Sequence, residues 1–212
     1  MLASFRRALV LCPHTDDEFG CAGTVARLVE SGAEVRYLAL STCEKSVPEG
    51  LPRDVLVGEC REATARLGVP PENVSFGGFE VREFPRDRQA ILEALVALRH
   101  DWTPDVVLLP SSADRHQDHA VVHAEGFRAF KHATVLGYEL PQNEIAFPNR
   151  AFVALGEAHL EAKIHAMAAY ASQGFRPYAS PEVIRALATV RGMQTGGGLA
   201  EAFEVVRWVV PV

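Results

Sequence analysis

Short apolar runs alternate with longer amphipathic stretches over the first two thirds of the chain. The apolar runs predict strands, which cover residues 8–12, 35–40, 73–76, 105–109 and 135–139. The longer stretches carry apolar residues at helical spacing, and they predict helices over residues 19–31, 54–67, 86–99 and 116–131. Strands that alternate with helices of these lengths are typical of βαβ units and a mostly parallel sheet.

The βαβ units also predict the order of the strands. Because connections between parallel strands are right-handed, the pattern favours a Rossmann-like, doubly wound α/β fold with helices on both faces. In the strand order 3-2-1-4-5, the first and fourth strands are neighbours. The rest of the chain predicts helices over residues 157–172 and 181–191, and a late strand over 202–210 at a sheet edge. No linker interrupts the pattern, so we expect residues 1–212 to form a single domain.

Composition and charge argue against several classes of protein. Of the 212 residues, 48% are hydrophobic and 23% are charged, as in ordinary globular proteins, and the formal net charge is -6. A nucleic-acid-binding protein usually carries a basic stripe, and this sequence has none. No apolar run approaches the roughly 20 residues that span a bilayer, and the N-terminal run is too short for a secretory signal. We therefore expect a cytoplasmic protein without a transmembrane segment.

The cysteines do not form a recognisable metal or disulfide motif. They lie at Cys12, Cys21, Cys43 and Cys60, without the CxxC spacing of a zinc knuckle or the density of a disulfide scaffold. We interpret them as reduced thiols in or near the core. Cys12 lies two residues before a histidine, which leaves a role as a metal ligand open.

Polar residues that can carry chemistry first cluster directly after the first predicted strand. The segment from Pro13 to Glu18 reads PHTDDE, and it precedes the first predicted helix. Open α/β sheets place their sites at the carboxyl ends of the parallel strands. Three acidic residues beside a histidine would repel one another unless a cation or a helix N-terminus offsets their charge. Helix capping explains one carboxylate here, but it does not explain the histidine.

A second cluster follows the fourth predicted strand. The segment from Ser111 to His119 reads SSADRHQDH, and His116 and His119 are three residues apart, on one face of the predicted helix. Because strands one and four are neighbours in the predicted order, both clusters meet in one crevice. Two histidines and a carboxylate suit Zn²⁺ with a position left open for water, and the same set can hold Fe²⁺ or another divalent metal.

The two segments resemble the motifs of a known family. PHTDDE is similar to the Pro-His-Pro-Asp-Asp-Glu motif, and HQDH to the His-x-Asp-His motif, of the LmbE/PIG-L family of zinc-dependent N-acetylglucosaminyl deacetylases. The resemblance implies a single deacetylase domain that removes the N-acetyl group from an N-acetylglucosamine-type sugar or glycoconjugate. It also implies that His14, Asp17 and His119 bind zinc and that Asp16 is the general base.

The resemblance further assigns roles in the second segment and in substrate binding. It implies that His116 stabilises the oxyanion and protonates the leaving amine, and that Asp118 orients His116. Two departures stand out. Thr15 replaces the usual proline, which would loosen the loop, and Leu56 replaces an arginine of the second helix, for which Arg53 is the candidate substitute in substrate binding.

Other functions remain open at this point. Metallo-β-lactamases carry a His-x-His-x-Asp-His motif, but the span from Asp114 to His119 lacks one histidine, and their antiparallel sandwich disagrees with the βαβ pattern. A nucleotide-binding module would need a glycine-rich motif after the first strand, and this chain has none. A hydrolase of another amide or ester stays possible, as does a non-catalytic relative that binds a sugar or nucleotide. Such relatives are often oligomers, so we expect a possible homo-oligomer.

Overall fold

The computed structural model describes residues 4–210, and within them it contains seven strands and six α-helices. The strands are β1 (Arg7–Cys12), β2 (Glu34–Ala39), β3 (Val74–Phe76), β4 (Val106–Pro110), β5 (Thr134–Tyr138), β6 (Ala151–Leu155) and β7 (Leu199–Arg207). The helices are α1 (Ala22–Glu30), α2 (Val55–Arg66), α3 (Phe84–Asp101), α4 (Gln117–Ala129), α5 (Glu157–Met167) and α6 (Pro181–Met193).

All seven strands form one mixed sheet in the order β3-β2-β1-β4-β5-β7-β6. Strands β1 to β5 are parallel, whereas β7 runs antiparallel to both β5 and β6. The predicted α/β architecture with a mostly parallel sheet is therefore confirmed. The prediction that the first and fourth strands are neighbours is also confirmed, so the loops that follow β1 and β4 meet at the carboxyl edge.

Helices cover both faces of the sheet and give it two separate hydrophobic cores. In β1, Ala8 and Val10 face the core under α1, α2, α5 and α6, whereas Leu9 and Leu11 face the core under α3 and α4. All four side chains are fully buried. Because both faces of β1 are covered, its sequence is continuously apolar instead of alternating.

The first helix begins later than the pattern predicts. Instead of one helix over residues 19–31, a 3₁₀ turn (Asp17–Gly20) precedes α1. The turn packs closely on β5, since a Cβ atom on Gly20 would lie 2.5 Å from the Tyr138 ring and 2.9 Å from the carbonyl oxygen of Glu139. Close packing of this turn therefore separates the acidic motif from the helix proper.

The C-terminal third differs most from the prediction. The late strand is β7 (Leu199–Arg207), which lies between β5 and β6 and not at a sheet edge. Strand β6 was not predicted, because its apolar run AFVAL has only 5 residues directly before a predicted helix, and so short a run cannot be assigned to a strand by periodicity alone. The predicted helix over residues 157–172 ends at Met167 and is followed by a 3₁₀ turn at Ala171–Gln173.

The cysteines and the membrane prediction can be compared with the structure directly. Cys12, Cys21, Cys43 and Cys60 are all buried and free, as predicted. Among residues 4–210, no helix is long and apolar enough to cross a membrane. The cytoplasmic location and the possible homo-oligomer stay predictions.

Candidate metal centre and active site

The PHTDDE and HQDH segments meet at the carboxyl edge of the sheet. The first occupies the loop and 3₁₀ turn between β1 and α1, and the second forms the first turn of α4 after β4. His14, Asp17 and His119 are all buried there, although polar side chains of this kind are usually exposed. Buried polar groups need partners, so the contacts of these three residues show what the site is built to hold.

Three donor atoms from these residues form a small triangle. Nδ1 of His14 lies 3.2 Å from Oδ2 of Asp17 and 3.1 Å from Nε2 of His119. Nε2 of His119 lies 3.3 Å from the same oxygen of Asp17. Zinc–ligand bonds of about 2.0–2.1 Å at a tetrahedral angle would place neighbouring donor atoms roughly 3.3 Å apart. The triangle therefore has the size that one tetrahedral metal ion requires.

The far side of each histidine ring faces a carboxylate. Nε2 of His14 lies 2.9 Å from Oδ2 of Asp118, and Nδ1 of His119 lies 2.7 Å from Oδ2 of Asp114. An ionised carboxylate only accepts hydrogen bonds, so these two ring nitrogens carry the protons in the neutral tautomers. The other two ring nitrogens and the Asp17 oxygen then direct lone pairs at one point. Such carboxylate–histidine pairs are the usual outer support of protein metal ligands.

His116 lies at the edge of this cluster. His14, His116 and His119 each offer a nitrogen atom, and these three atoms lie within 4.8 Å of one another, so His116 is a further candidate ligand. However, His116 is also the N-cap of α4, and its Nδ1 accepts a hydrogen bond of 3.2 Å from the backbone N–H of Asp118. Only Nε2 of His116 is then free to act in the cavity.

The contacts of Asp118 correct one expectation from the sequence. Its carboxylate does not orient His116, because it bonds His14 and accepts the backbone N–H groups of Arg82 and Phe84 at 2.6 and 3.2 Å. Burial and the neighbouring histidines lower the pKa of His116. A carboxylate partner would instead raise that pKa. The reason is geometric, since the cap turns the His116 ring towards the helix backbone.

Asp16 lines the cavity beside Asp17. It is partly exposed, and Arg176 approaches its Oδ2 atom to 3.7 Å. Burial and the Asp17 carboxylate raise the pKa of Asp16, while the positive charge of Arg176 opposes that rise. Asp16 accepts no hydrogen bond from the triangle, so its carboxylate is available to a molecule in the cavity.

Two buried tyrosine hydroxyl groups hold the loop that carries Asp16. Tyr37 and Tyr170 each place a hydroxyl group against both the carbonyl oxygen of Thr15 and the carboxyl group of Glu18. Glu18 is fully buried, and burial raises its pKa to about 8. These contacts restrain the Thr15 peptide between His14 and Asp16, at the position of the second proline in the resembled Pro-His-Pro-Asp-Asp-Glu motif. Two tyrosines distant in sequence thus hold a loop that we expected to be loosened.

A cavity of about 170 Å³ opens over the cluster. Its walls include the predicted residues His14, Asp16, Asp17, His116 and His119. Leu56 also lines it, whereas Arg53 is exposed and is not among its lining residues within the described part of the chain. The role of Arg53 in substrate binding therefore stays a prediction without support from the lining of this cavity.

Several polar residues of the cavity wall were not predicted from the sequence. Arg82, Asn143, Gln173 and Arg176 line it and come from loops after β3, β5 and α5. The carbonyl oxygen of the Gln173 side chain is buried and accepts no hydrogen bond from any described residue. None of these residues belongs to the two motifs, although arginines in loops at the carboxyl edge are a signal that could have identified Arg82.

We expect the Asp118→Asn variant to weaken metal binding without removing a metal ligand. The amide keeps the shape of the side chain but weakens the interaction that orients His14, and such changes typically cost 10–100-fold in metal affinity. Competition with a fluorescent chelator would measure the change. The exposed Asp101→Asn is the matched control, and equal metal affinity in wild type and Asp118→Asn would contradict the outer support that we assign to Asp118.

The fold and the site together define a class, namely α/β proteins that gather histidines and carboxylates at the carboxyl edge of a parallel sheet. The profile of one such family, described as PIG-L: GlcNAc-PI de-N-acetylase, matches residues 9–130. This match covers more than half of the chain and includes both motifs. The chain therefore belongs to the PIG-L (LmbE-like) family.

Individual relatives agree with this assignment. The chain is 26% identical over 166 residues to YaiS of Escherichia coli (strain K12), described as an uncharacterized deacetylase, and the match covers 75% of this chain and 87% of YaiS. Among solved structures, the conserved protein TT1542 from Thermus thermophilus is 27% identical with a TM-score of 0.78, and the match covers 98% of this chain and 97% of that one.

Two further solved structures share the fold at lower identity. The N,N'-diacetylchitobiose deacetylase from Pyrococcus horikoshii is 19% identical with a TM-score of 0.74, over 94% of this chain and 83% of that one. GalB, the 4-carboxy-2-hydroxymuconate hydratase from Pseudomonas putida KT2440, is also 19% identical, with a TM-score of 0.73 over 98% of both chains. Proteins with different reactions thus share this fold, and the site must decide the chemistry.

Proposed function

We propose that the protein is a metal-dependent hydrolase, formed as a single domain, that removes an N-acetyl group from an N-acetylglucosamine-type sugar or glycoconjugate. The observation that carries the proposal is the triangle of His14, Asp17 and His119. In the neutral tautomers set by Asp118 and Asp114, three lone pairs would face one another at 3.1 to 3.3 Å. A cation at their centre would relieve that repulsion and use all three donors.

The donor set fits a catalytic ion better than a structural one. Two imidazoles and one carboxylate are typical of catalytic Zn²⁺ sites, and they also suit Fe²⁺. A structural zinc site would have four protein ligands, usually with cysteine, and the four cysteines here lie outside the cluster of candidate ligands. When bound, such an ion polarises the acyl oxygen and makes water acidic enough to react near neutral pH.

The position of Asp16 supports its role as the general base. It follows the ligand histidine by two residues, lines the cavity and is not part of the triangle. The tyrosine contacts to the Thr15 carbonyl fix the backbone next to it, so the carboxylate is held in place before substrate binds. In the proposed reaction, Asp16 removes the proton from water as the oxygen attacks the amide carbon.

The position of His116 supports its role as the acid and as the group that stabilises the oxyanion. Because its Nδ1 accepts the N–H of Asp118, the neutral ring carries its proton on Nε2. That N–H can donate to the acyl oxygen as negative charge develops there. The amine leaves only after it gains a proton, which Asp16 returns after taking it from water, or which His116 supplies as the imidazolium once its Nδ1 has left the cap hydrogen bond. The bond that breaks is the amide C–N bond, and the products are acetate and the free amine.

A second candidate function is the addition of water to another substrate at the same site, because the fold is shared with a hydratase. Membership of the PIG-L family and the two deacetylase-like motifs favour deacetylation. They favour it over hydration and over the hydrolysis of another amide or an ester. The arrangement of Asp16 and His116 also argues against a non-catalytic, sugar-binding relative, because pure binding does not need a free carboxylate next to the donor triangle.

Metal analysis combined with an acetate-release screen tests the proposal. We expect about one divalent ion per chain, loss of acetate release after exhaustive chelation, and recovery on addition of Zn²⁺ or Fe²⁺. The screen should cover N-acetylglucosamine, its phosphates, N,N'-diacetylchitobiose and a nucleotide sugar. Full activity of the chelated protein would refute metal dependence, and an absence of acetate release from every amide probe would refute the deacetylase assignment.

A further inference from the structure

We infer that the cavity binds a substrate that carries an anionic group, a phosphate or a carboxylate, and that Arg82 holds this group. The inference deepens the proposed function, because it concerns the part of the same substrate that lies away from the reacting amide. It rests on two loops of the cavity wall, one after β2 and one after β3.

Each of these loops holds a residue in an unfavourable backbone conformation. Among residues 4–210, Cys43 and Arg82 are the non-glycine residues with positive φ, at 58° and 74°. Both line the cavity. A left-handed backbone is uncommon for side chains such as these and persists only where the surroundings impose it, which happens mostly at functional sites.

The contacts of Arg82 show what imposes its conformation. Its backbone N–H donates to Oδ2 of Asp118 at 2.6 Å, and the same oxygen lies 2.9 Å from Nε2 of His14. The N–H of Phe84 donates to the other oxygen of Asp118 at 3.2 Å. One carboxylate therefore fixes both a candidate metal ligand and the backbone of Arg82, so the arginine is placed at a set position relative to the reaction centre.

Two cations of these loops, Lys45 and Arg82, are in contact, but only Lys45 pairs with a carboxylate among the described residues. Nη2 of Arg82 donates to the backbone carbonyl oxygen of Lys45 at 3.1 Å, while the Lys45 ammonium pairs with the carboxylate of Glu80. Within the described residues, no carboxylate lies within 4.0 Å of the Arg82 guanidinium. Its planar group has five donors and matches a phosphate or carboxylate in two parallel hydrogen bonds.

The other arginine of the cavity is already engaged. Arg176 lies 3.7 Å from the Asp16 carboxylate and donates to the Tyr178 hydroxyl at 2.6 Å. The positive charge of Arg176 therefore interacts with the proposed base. A substrate anion bound to Arg176 would compete with the Asp16 carboxylate. Arg82 is consequently the cation of the cavity wall that is free to bind a substrate anion.

Calorimetric titration of the zinc-loaded protein tests this inference without turnover. The probes are glucosamine, which has no anionic group, and glucosamine 1-phosphate, glucosamine 6-phosphate and muramic acid, which carry a phosphate or a carboxylate. We expect at least one anionic probe to bind roughly tenfold more tightly than glucosamine, as for a charge-assisted hydrogen bond in a partly exposed site. Raising the salt concentration should reduce that preference.

Two variants separate Arg82 from the general charge of the loops. Arg82→Gln should remove the preference and leave glucosamine binding unchanged, because its backbone N–H still reaches Asp118. Lys45→Gln is the matched control, since it removes one positive charge from the facing loop, keeps the carbonyl contact and should retain the preference. If zinc and not Arg82 held the anion, the preference for anionic probes would persist in Arg82→Gln.

The inference is overturned if wild type shows no preference, if Arg82→Gln retains it, or if Lys45→Gln loses it equally. These outcomes are independent of the proposed function. A protein that releases no acetate but still loses the anion preference in Arg82→Gln would refute deacetylation alone, and a protein that releases acetate but keeps the anion preference in Arg82→Gln would refute the role of Arg82 alone.

Discussion

We expect the Asp16→Asn variant to keep its metal and its fold but to lose acetate release by roughly 10²–10⁴-fold, the usual contribution of a general base. The amide has nearly the same shape as the carboxylate, but it cannot accept a proton from water at neutral pH. Because Asp16 contacts neither His14 nor His119 through a hydrogen bond or ion pair, its replacement leaves the donor triangle intact.

The neighbouring Asp17→Asn variant provides the matched comparison. It makes the same chemical change one residue later, but it removes charge from an oxygen that lies 3.2 and 3.3 Å from the two histidine nitrogens. We expect this variant to lose metal first and activity as a consequence. Metal content after dialysis and kcat at saturating zinc distinguish the two. If Asp16→Asn were metal-depleted and Asp17→Asn metal-replete, the base and ligand assignments would be reversed.

The meeting of the two motifs could be predicted from the sequence because it depends on local signals. Continuous apolar runs identify β1 and β4 as central strands, and their neighbouring positions follow from the handedness of the crossovers. The His-containing segments directly follow these two strands, so their convergence needs no knowledge of side-chain contacts. His14, Asp17 and His119 lie together for this reason.

The remaining parts of the site depend on contacts between distant segments. Tyr37 and Tyr170 come from β2 and from the loop after α5, and only the folded chain brings both to the Thr15 carbonyl. The partner of Asp118 could not be read from the HQDH spacing, because the N-cap geometry of His116 directs that carboxylate to His14. Strand β6 was missed for a different reason, since a short apolar run next to a predicted helix cannot be assigned to a strand by periodicity alone.

The outer contacts explain why the two histidines of HQDH should differ in function although they share one helical face. His119 is 2% exposed, and its Nδ1 is held by Asp114, so only its Nε2 is directed to the triangle. His116 is half-buried, and its Nδ1 accepts the Asp118 N–H as a helix cap. A ligand histidine has to be neutral and fixed, whereas an acid has to reach the substrate with a proton.

We therefore expect His119→Asn to lose metal and activity together, and His116→Asn to keep metal and substrate binding while kcat falls by roughly 10²–10⁴-fold. Asparagine is the informative replacement at His116, because it restores the N-cap hydrogen bond and so removes the acid without removing the cap. His116→Ala removes both, and the difference in unfolding midpoint between the two variants measures the cap.

The deciding measurement is the metal content of dialysed His116→Asn, with circular dichroism as the control for folding. His116 is supported as the proton donor if this variant keeps the metal content and the KM of wild type while its kcat falls. The metal site would then consist of His14, Asp17 and His119. Metal content as low as in His119→Asn would instead make all three histidines ligands, consistent with their nitrogen atoms lying within 4.8 Å of one another. The proton for the leaving amine would then have to come from Asp16, which would take it from water and return it to nitrogen within one turnover.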